Sequence, residues 1–159
     1  NKIYDEMIDF AKYAFNKSHA AAYAVVSYQT AWLKYYYPVE FMAALMTSVI
    51  DNPGKVSEYI YSCRQMGIKI LPPDINKGEG SFSVDGGNIR YGLAAIKSIG
   101  KPVIESIIQE RKNGGEFSNL KDFIERLSGK EVNKRTIESF TKSGAFDSLG
   151  GTRKQFIVV

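Results

Sequence analysis

The segment from Phe15 to Lys34 carries the polar side chains best suited to bind an anion. Asn16 and Lys17 come just before a predicted helix, whose first N–H groups and dipole attract negative charge. Ser18 can cap that helix, and His19 can donate a hydrogen bond, more strongly when protonated. Successive residues of a helix are about 100° apart around its axis. We therefore predict one polar stripe along an otherwise buried helix, formed by His19, Tyr23, Ser27, Thr30 and Lys34. A core helix with a capped N-terminus and a hydrogen-bonded histidine is the alternative.

A second segment, Ile96-Lys97-Ser98-Ile99-Gly100-Lys101, is typical of a tight turn that leads into a helix. The small residue and the glycine let the backbone approach a phosphate, and the first N–H groups of the helix point at it. Lys97 and Lys101 add Coulomb attraction, while Ile96 and Ile99 fix the turn onto its helices. This pattern resembles the helix-hairpin-helix motif, which contacts the phosphate backbone of DNA rather than the bases. We predict DNA contacts from Lys97, Ser98, Ile99, Gly100 and Lys101.

A weaker copy of this pattern is Lys142-Ser143-Gly144-Ala145-Phe146. Two such units about a pseudo-twofold axis would hold both strands of a duplex across the minor groove. Lys142, Ser143 and Gly144 are therefore also predicted DNA contacts. The alternative is that Gly100 and Gly144 are ordinary helix C-caps.

Two residues depart from the motif in the first copy. Ser98 stands where the motif usually has glycine, which makes a left-handed backbone costlier there. Pro102 removes one N–H group from the first turn of the following helix, although proline is tolerated at that position. A β-branched residue at Gly100 is expected to strain the turn and to block the phosphate.

The elements that must position these segments are mostly helices. Apolar spacing and turn residues predict them at 2–14, 18–37, 39–50, 56–66, 93–97, 103–114, 120–127, 133–142 and from 152. One β-hairpin is predicted, with strands Phe82-Ser83-Val84 and Ile89-Arg90-Tyr91 around Asp85-Gly86-Gly87-Asn88. Ile68 to Leu71 is predicted to be extended, and the loop at 72–80 divides long helices from short ones.

Composition excludes several classes of protein. The 159 residues include one cysteine and one histidine, which excludes an internal disulfide and any multi-histidine metal site. No apolar run approaches the ~20 residues of a membrane span. The net charge of +4 lies entirely in residues 76–159, with 14 basic and 10 acidic side chains. Asn1 begins the chain without a signal-peptide pattern, so we expect a piece of a longer cytoplasmic protein.

The run from Phe15 to Ala24 resembles the fingers region of the alpha subunits of bacterial DNA polymerase III, the C-family replicative polymerases. The similarity continues in order through nearly the whole chain. Its further blocks are Ser27 to Lys34, Tyr37 to Ala44, Cys63 to Ile68, Leu71 to Asn76, Tyr91 to Lys97, Val132 to Arg135 and Ser143 to Gly150.

This resemblance implies a mainly α fold with three parts. They are a helical fingers subdomain (1–75), a loop and β-hairpin (76–91), and a tandem helix-hairpin-helix element (92–159). It implies contacts with the incoming deoxynucleoside triphosphate or the template from Asn16, Lys17, Ser18, His19, Tyr23 and Lys34. The catalytic carboxylates and their magnesium ions belong to the palm of such enzymes, and no paired aspartates of that kind occur here. We therefore expect no catalytic residue, metal site or cofactor in this chain, and no polymerase activity from it alone.

The partners implied are primer-template duplex, a deoxynucleoside triphosphate, the rest of the polymerase chain and the other replisome subunits, with no membrane. Two alternatives stay open. A stand-alone helix-hairpin-helix adaptor explains residues 92–156 but not Phe15 to Ala24. A helical protein–protein scaffold suits the neutral first half, in which seven basic residues balance seven acidic ones.

Overall fold

A computed structural model describes residues 2–12, 17–129 and 132–157. The chain forms two compact units, Asn1–Pro38 and Val39–Val159. The first unit holds two helices, α1 (Lys2–Lys12) and α2 (Lys17–Tyr36). Both agree closely with the helices that the apolar spacing predicts.

No residue of α2 is buried, although the sequence predicted a helix buried everywhere except along one polar stripe. Tyr28 and Tyr36 are exposed over 71% and 60% of their surface, and Trp32 over 42%. The prediction is wrong because apolar composition does not supply a packing partner. The 11-residue α1 is too short to cover a 20-residue helix on several sides.

The second unit begins with a helical hairpin and a small sheet. Its first helices are α3 (Pro38–Ser48) and α4 (Pro53–Gln65). Asn52 caps α4, since its side-chain oxygen accepts a hydrogen bond from the Lys55 N–H at 3.1 Å. The strands are β1 (Ile70–Leu71), β2 (Ser83–Asp85) and β3 (Asn88–Arg90), in the order β1-β3-β2.

The predicted hairpin is present, with Asp85 opposite Asn88. Gly86 and Gly87 connect the strands with φ of 57° and 76°, which only glycine adopts freely. The sequence predicted a single strand pair, but β1 joins it in parallel, with Ile70 opposite Ile89.

The second half of this unit consists of short helices. They are a 3₁₀ turn (Leu93–Ala95), α5 (Lys101–Gly114), α6 (Leu120–Arg126), α7 (Lys134–Ser143), a 3₁₀ turn (Asp147–Leu149) and α8 (Arg153–Ile157). Asn119 and Asn133 cap α6 and α7 through their side-chain oxygens.

Two clusters of buried apolar side chains hold the second unit together. One lies among α3, α4 and the sheet, around Met42, Met46, Val56, Cys63 and Ile89. The other lies among α5 to α8 and is rich in phenylalanine, with Phe117, Phe123, Phe140, Phe146 and Phe156. Phe123 meets Phe117 and Phe146 edge-on at 5.0 Å between ring centroids, a geometry worth about 0.5–1.5 kcal/mol for each pair beyond burial.

Polar contacts tie the loop before the hairpin to the short helices. The Asn76 side chain donates to the Phe117 carbonyl at 2.9 Å and accepts from the Phe117 N–H at 2.8 Å. Arg111 of α5 donates to the carbonyls of Ile75 and Gly78 at 3.1 and 2.8 Å. The loop is therefore fixed against α5 and the segment that precedes α6.

Candidate nucleic-acid interface

The first hairpin, Ile96 to Lys101, turns sharply between the 3₁₀ turn and α5. Ser98 has φ of 69°, and no other non-glycine residue in the described part of the chain has a positive φ. Ile96 and Ile99 pack against the phenylalanine-rich cluster, as the sequence predicted. The apolar residues of the turn thus face the cluster, and its polar residues Lys97 and Ser98 are exposed.

Gly100 is not the strained position of this hairpin. It is the N-cap of α5, with φ of −76° and ψ of 149°, a conformation open to any residue. A Cβ atom built there would lie 3.6 Å from Pro102 Cδ, which is ordinary contact. The expectation that a side chain at Gly100 strains the turn is therefore wrong. The residue that needs the left-handed region lies two positions earlier, at Ser98.

The beginning of α5 is arranged for an anion. No side chain caps this helix, so its first N–H groups are without the acceptor that a capping residue supplies. Pro102 falls in the first turn and contributes no N–H group. Lys97 and Lys101 are exposed on either side of the turn and make no ion pair within the described residues. This arrangement can hold a phosphate by backbone donors and cationic charge.

The turn also contacts a helix that is distant in the sequence. Arg135, in the first turn of α7, donates from Nη2 to Ser98 Oγ at 3.3 Å. No local sequence pattern links these residues, because 37 positions separate them.

The predicted second hairpin has a different structure. Gly144 is the C-cap of α7 in the left-handed conformation, with φ of 85°, and its N–H donates to the Thr141 carbonyl at 3.2 Å. The Ser143 hydroxyl donates to the Phe140 carbonyl at 2.9 Å. Lys142 lies 3.5 Å from Glu138 in an i,i+4 ion pair. The C-cap alternative thus describes Gly144, whereas Gly100 caps the start of a helix and not its end.

A closer counterpart of the first hairpin begins at Phe146. Ile96 to Gly100 and Phe146 to Gly150 both read apolar, charged, serine, apolar, glycine. This repeat is the sequence signal that marks the closer counterpart. In the later copy Asp147 takes the place of Lys97, and Arg153 Nε donates to Asp147 Oδ1 at 2.8 Å. The hydrogen bond from Arg153 lowers the pKa of Asp147, so this copy presents an ion pair rather than free cations.

The predicted nucleotide or template contacts lie in the first unit. Lys17 and Ser18 begin α2, and the His19 ring lies 4.7 Å from the Tyr23 ring. Lys34 is about 25 Å further along the helix axis, at about 1.5 Å per residue. Lys17, His19, Tyr23 and Lys34 are exposed. Asn16 lies outside the described residues.

Other kinds of site are not apparent in the described residues. They contain no group of three or more histidine, cysteine, aspartate or glutamate side chains placed to hold a metal ion. None of their helices is both long and apolar enough to cross a membrane. The Cys63 thiol is buried, and burial raises its pKa.

Comparison with known proteins agrees with the geometry. A family described as "Helix-hairpin-helix motif" matches residues 67–156. DNA polymerase III subunit alpha of Escherichia coli (strain K12) is 54% identical over 153 residues, which are 96% of this chain and 13% of that protein. The same subunit of Pasteurella multocida is 53% identical over 153 residues, again 96% and 13%.

The subunit of Thermus aquaticus is 49% identical over 150 residues, 94% of this chain and 12% of that protein. The chain therefore spans about an eighth of the relatives it matches. The resemblance to the alpha subunits, the mainly α fold and the helix-hairpin-helix element are confirmed.

Proposed function

The chain belongs to the helix-hairpin-helix family, and on that basis we propose that it is the part of a bacterial replicative DNA polymerase that holds duplex DNA by its phosphate backbone. The observation that carries this proposal is the first hairpin. An uncapped helix N-terminus lies beside a left-handed turn at Ser98, with Lys97 and Lys101 exposed around it. Backbone donors and point charges recognise phosphate without reading bases, so the contact should have no sequence preference.

The similarity to the polymerase subunits also covers the residues before position 67, where the family match begins. A stand-alone adaptor built on the hairpins gives no reason for that. We therefore prefer the hypothesis of a replicative polymerase to that of an adaptor or a protein–protein scaffold.

Titration of a fluorescent duplex with the 159-residue chain tests the DNA contact. With about two to four phosphates neutralised, log K should fall against log salt with a slope near −2 to −4. The dissociation constant should lie around 10⁻⁴ to 10⁻⁶ M at physiological salt and be equal for unrelated sequences. Binding that ignores salt, or no binding even at low salt, would contradict the proposal.

We further propose that the beginning of α2 contacts the incoming deoxynucleoside triphosphate or the template. Lys17 would act as a point charge on phosphate, and Ser18 and His19 would donate hydrogen bonds beside the helix N-terminus. Asn16 precedes them in sequence, and the Tyr23 ring, one turn on, contacts the His19 ring at a tilt of 57°. Lys34 would serve a different part of the DNA, because the length of α2 separates it from Lys17.

Kinetics of the full-length polymerase test this second contact. Lys17→Ala and His19→Ala should each reduce nucleotide incorporation and leave duplex affinity nearly unchanged. Lys55→Ala, on α4, is the matched control for loss of a lysine. Incorporation rates equal to wild type in both variants would return these residues to a structural role.

We propose that the parent protein is a DNA-directed DNA polymerase of the cytoplasm, with replisome subunits as partners, and that this chain alone is inactive. Phosphoryl transfer needs metal-binding carboxylates, which we expect in the palm, outside these residues. The purified chain should neither extend a primer nor degrade DNA in the presence of magnesium. Either activity would overturn this part of the proposal.

A further inference from the structure

We propose that Lys134 and Arg135, at the first turn of α7, belong to the same phosphate-binding surface as the first hairpin. This inference rests on the proposed contact between that hairpin and DNA, and it adds two residues from a separate helix. It assigns Arg135 the role of a guanidinium fork on a phosphate of the strand that the Ser98 turn holds.

The contact that joins the two elements is direct but weak. Arg135 Nη2 lies 3.3 Å from Ser98 Oγ, beyond the 2.7–3.2 Å range of most N–H···O hydrogen bonds. A hydroxyl is also a neutral acceptor with one oxygen, whereas a phosphate offers two anionic oxygens that match the guanidinium fork. A phosphate at the turn would therefore compete well for the same donor.

Arg135 differs from the arginines that hold the second unit together. The side chains of Arg90, Arg111 and Arg126 are only 10%, 11% and 19% exposed, and each lies within 3.4 Å of a carboxylate. Arg135 is exposed and has no carboxylate partner among the described residues. Arg135 instead combines an exposed guanidinium with a contact to the left-handed turn, which places a fork of cationic donors where the first hairpin would hold a phosphate.

The charge around the turn is mostly positive. Lys97 and Lys101 flank Ser98 in sequence, and Lys134 adjoins Arg135, so four exposed cations lie within three residues of one or other partner of this contact. The acidic residue one turn further along α7, Glu138, is already paired with Lys142 at 3.5 Å. Glu105 is exposed one turn into α5 and is the carboxylate that opposes this potential from that helix.

The inference depends on side chains and not on the end of α7 itself. Asn133 caps that helix, since its Oδ1 accepts from the Thr136 N–H at 3.0 Å and from the Thr136 hydroxyl at 3.3 Å. The N-terminus of α7 is thereby occupied from within the chain. What remains for DNA is the Arg135 guanidinium at Ser98 and the exposed ammonium of the adjoining residue, Lys134.

Duplex titrations at several salt concentrations test the assignment, with the whole 159-residue chain and variants that remove one charge each. Arg135→Gln and Lys134→Gln should each reduce the salt slope by about one and weaken binding about five- to tenfold at low salt. Arg64→Gln is the matched control, because it removes an exposed arginine from α4, in the other cluster. It should bind as wild type does.

Arg135→Lys separates charge from shape. It should keep the slope of wild type but lose about threefold in affinity, because lysine lacks the two-donor fork. The midpoint of thermal unfolding should lie within about 2 °C of wild type for every variant, which would show that the fold is intact. If wild type binds and Arg135→Gln keeps the slope of Arg64→Gln, this inference is overturned and the hairpin contact stands. If wild type itself does not bind, both fail.

Discussion

The first hairpin (Ile96 to Lys101) resembles the segment from Lys142 to Gly150 in its apolar residues and differs from it in nearly every polar contact. That segment contains both the predicted second hairpin and the counterpart that begins at Phe146, and it is called the second hairpin below. In the first, the left-handed residue is an exposed serine and the lysines around it make no ion pair within the described residues. In the second, the left-handed residue is the buried Gly144, and the charges are neutralised within the chain. The first hairpin thus leaves its cations available for the DNA contact that we propose, whereas the second ends one helix and begins another.

The difference teaches that an apolar pattern fixes how a turn packs, whereas charge and exposure decide what it does. Ile96 and Phe146 occupy equivalent places and are both buried in the same cluster. Exchange of Lys97 for Asp147 between the copies reverses the charge at the turn. Two copies of one motif can therefore divide the work of anchoring and binding.

The largest effect that sharpens this comparison is on stability at the two glycines. A Cβ atom at Gly144 would need a left-handed backbone and would lie 2.5 Å from Arg153 Nη2 and 3.0 Å from Asp147 Oδ2. The tip of the Arg153 side chain can move aside, so the left-handed backbone sets the cost, and Gly144→Ala should lower the free energy of unfolding by about 1–2 kcal/mol. Gly100→Ala, whose backbone is unstrained, should cost less than about 1 kcal/mol. Urea unfolding midpoints measure both, and equal losses would refute the distinction.

The next effect is on DNA binding. Changing Lys97 and Lys101 together to glutamine should reduce the salt slope by about two, because both charges are free to neutralise phosphates. Lys142→Gln should change it by well under one, since Lys142 is already paired with Glu138. The readout is anisotropy of a labelled duplex across a salt series. A larger loss from Lys142→Gln would assign binding to the second hairpin.

A smaller effect concerns the equivalent serines. Ser98→Gly should raise the free energy of unfolding by about 0.5–1 kcal/mol, because glycine adopts φ of 69° without the penalty that serine bears. Ser148→Gly should lower it, because Ser148 lacks a positive φ and its hydroxyl donates to Asp74 Oδ1 at 3.2 Å. Thermal unfolding of the two variants gives the signs. Two shifts in the same direction would refute this account of the turns.

The smallest effect is the pH dependence of the second hairpin. Arg153 lowers the pKa of Asp147 below its ordinary value of 3.8, so the pair stabilises the fold above that pH. This contribution is lost as pH falls through the lowered pKa of the folded state. Because the Asp147 side chain is 47% exposed, the effect is well under 1 kcal/mol.

Asp147→Asn should therefore lose slightly less stability than wild type between pH 5 and pH 2, measured by urea unfolding. Asp51→Asn, in an exposed turn, is the control for removal of one carboxylate. Identical acid profiles for wild type and Asp147→Asn would show that the ion pair contributes nothing.

Most elements followed from local signals in the sequence. Pro53 and Gly67 bracket α4, and the two glycines of the Asp85 to Asn88 turn specify the hairpin. β1 was predicted only as an extended stretch. Its two residues are too few to show the apolar–polar alternation of a strand, and its partner β3 is far along the chain. The exposure of α2 was missed because apolar composition does not specify which faces of a helix are covered.

The candidate site was only partly readable for a similar reason. The lysines and the turn residue of the first hairpin are contiguous, so spacing alone located them. The motif indicated a left-handed backbone at Ser98, where the structure has one. Gly100, where a side chain was expected to cause strain, proved to be an N-cap with an extended backbone. Arg135 reaches Ser98 through the packing of α7, which no local pattern encodes.

The hydrogen bonds of Asn76 and Arg111 have a mechanical consequence. Two bonds between Asn76 and Phe117 fasten the loop before the hairpin to the segment that precedes α6, and two bonds from Arg111 fasten it to α5. A loop held in this way cannot act as a hinge. A force on α5 would therefore be passed to this loop through the Arg111 side chain, and from the loop to β1 and β2 on either side of it along the chain.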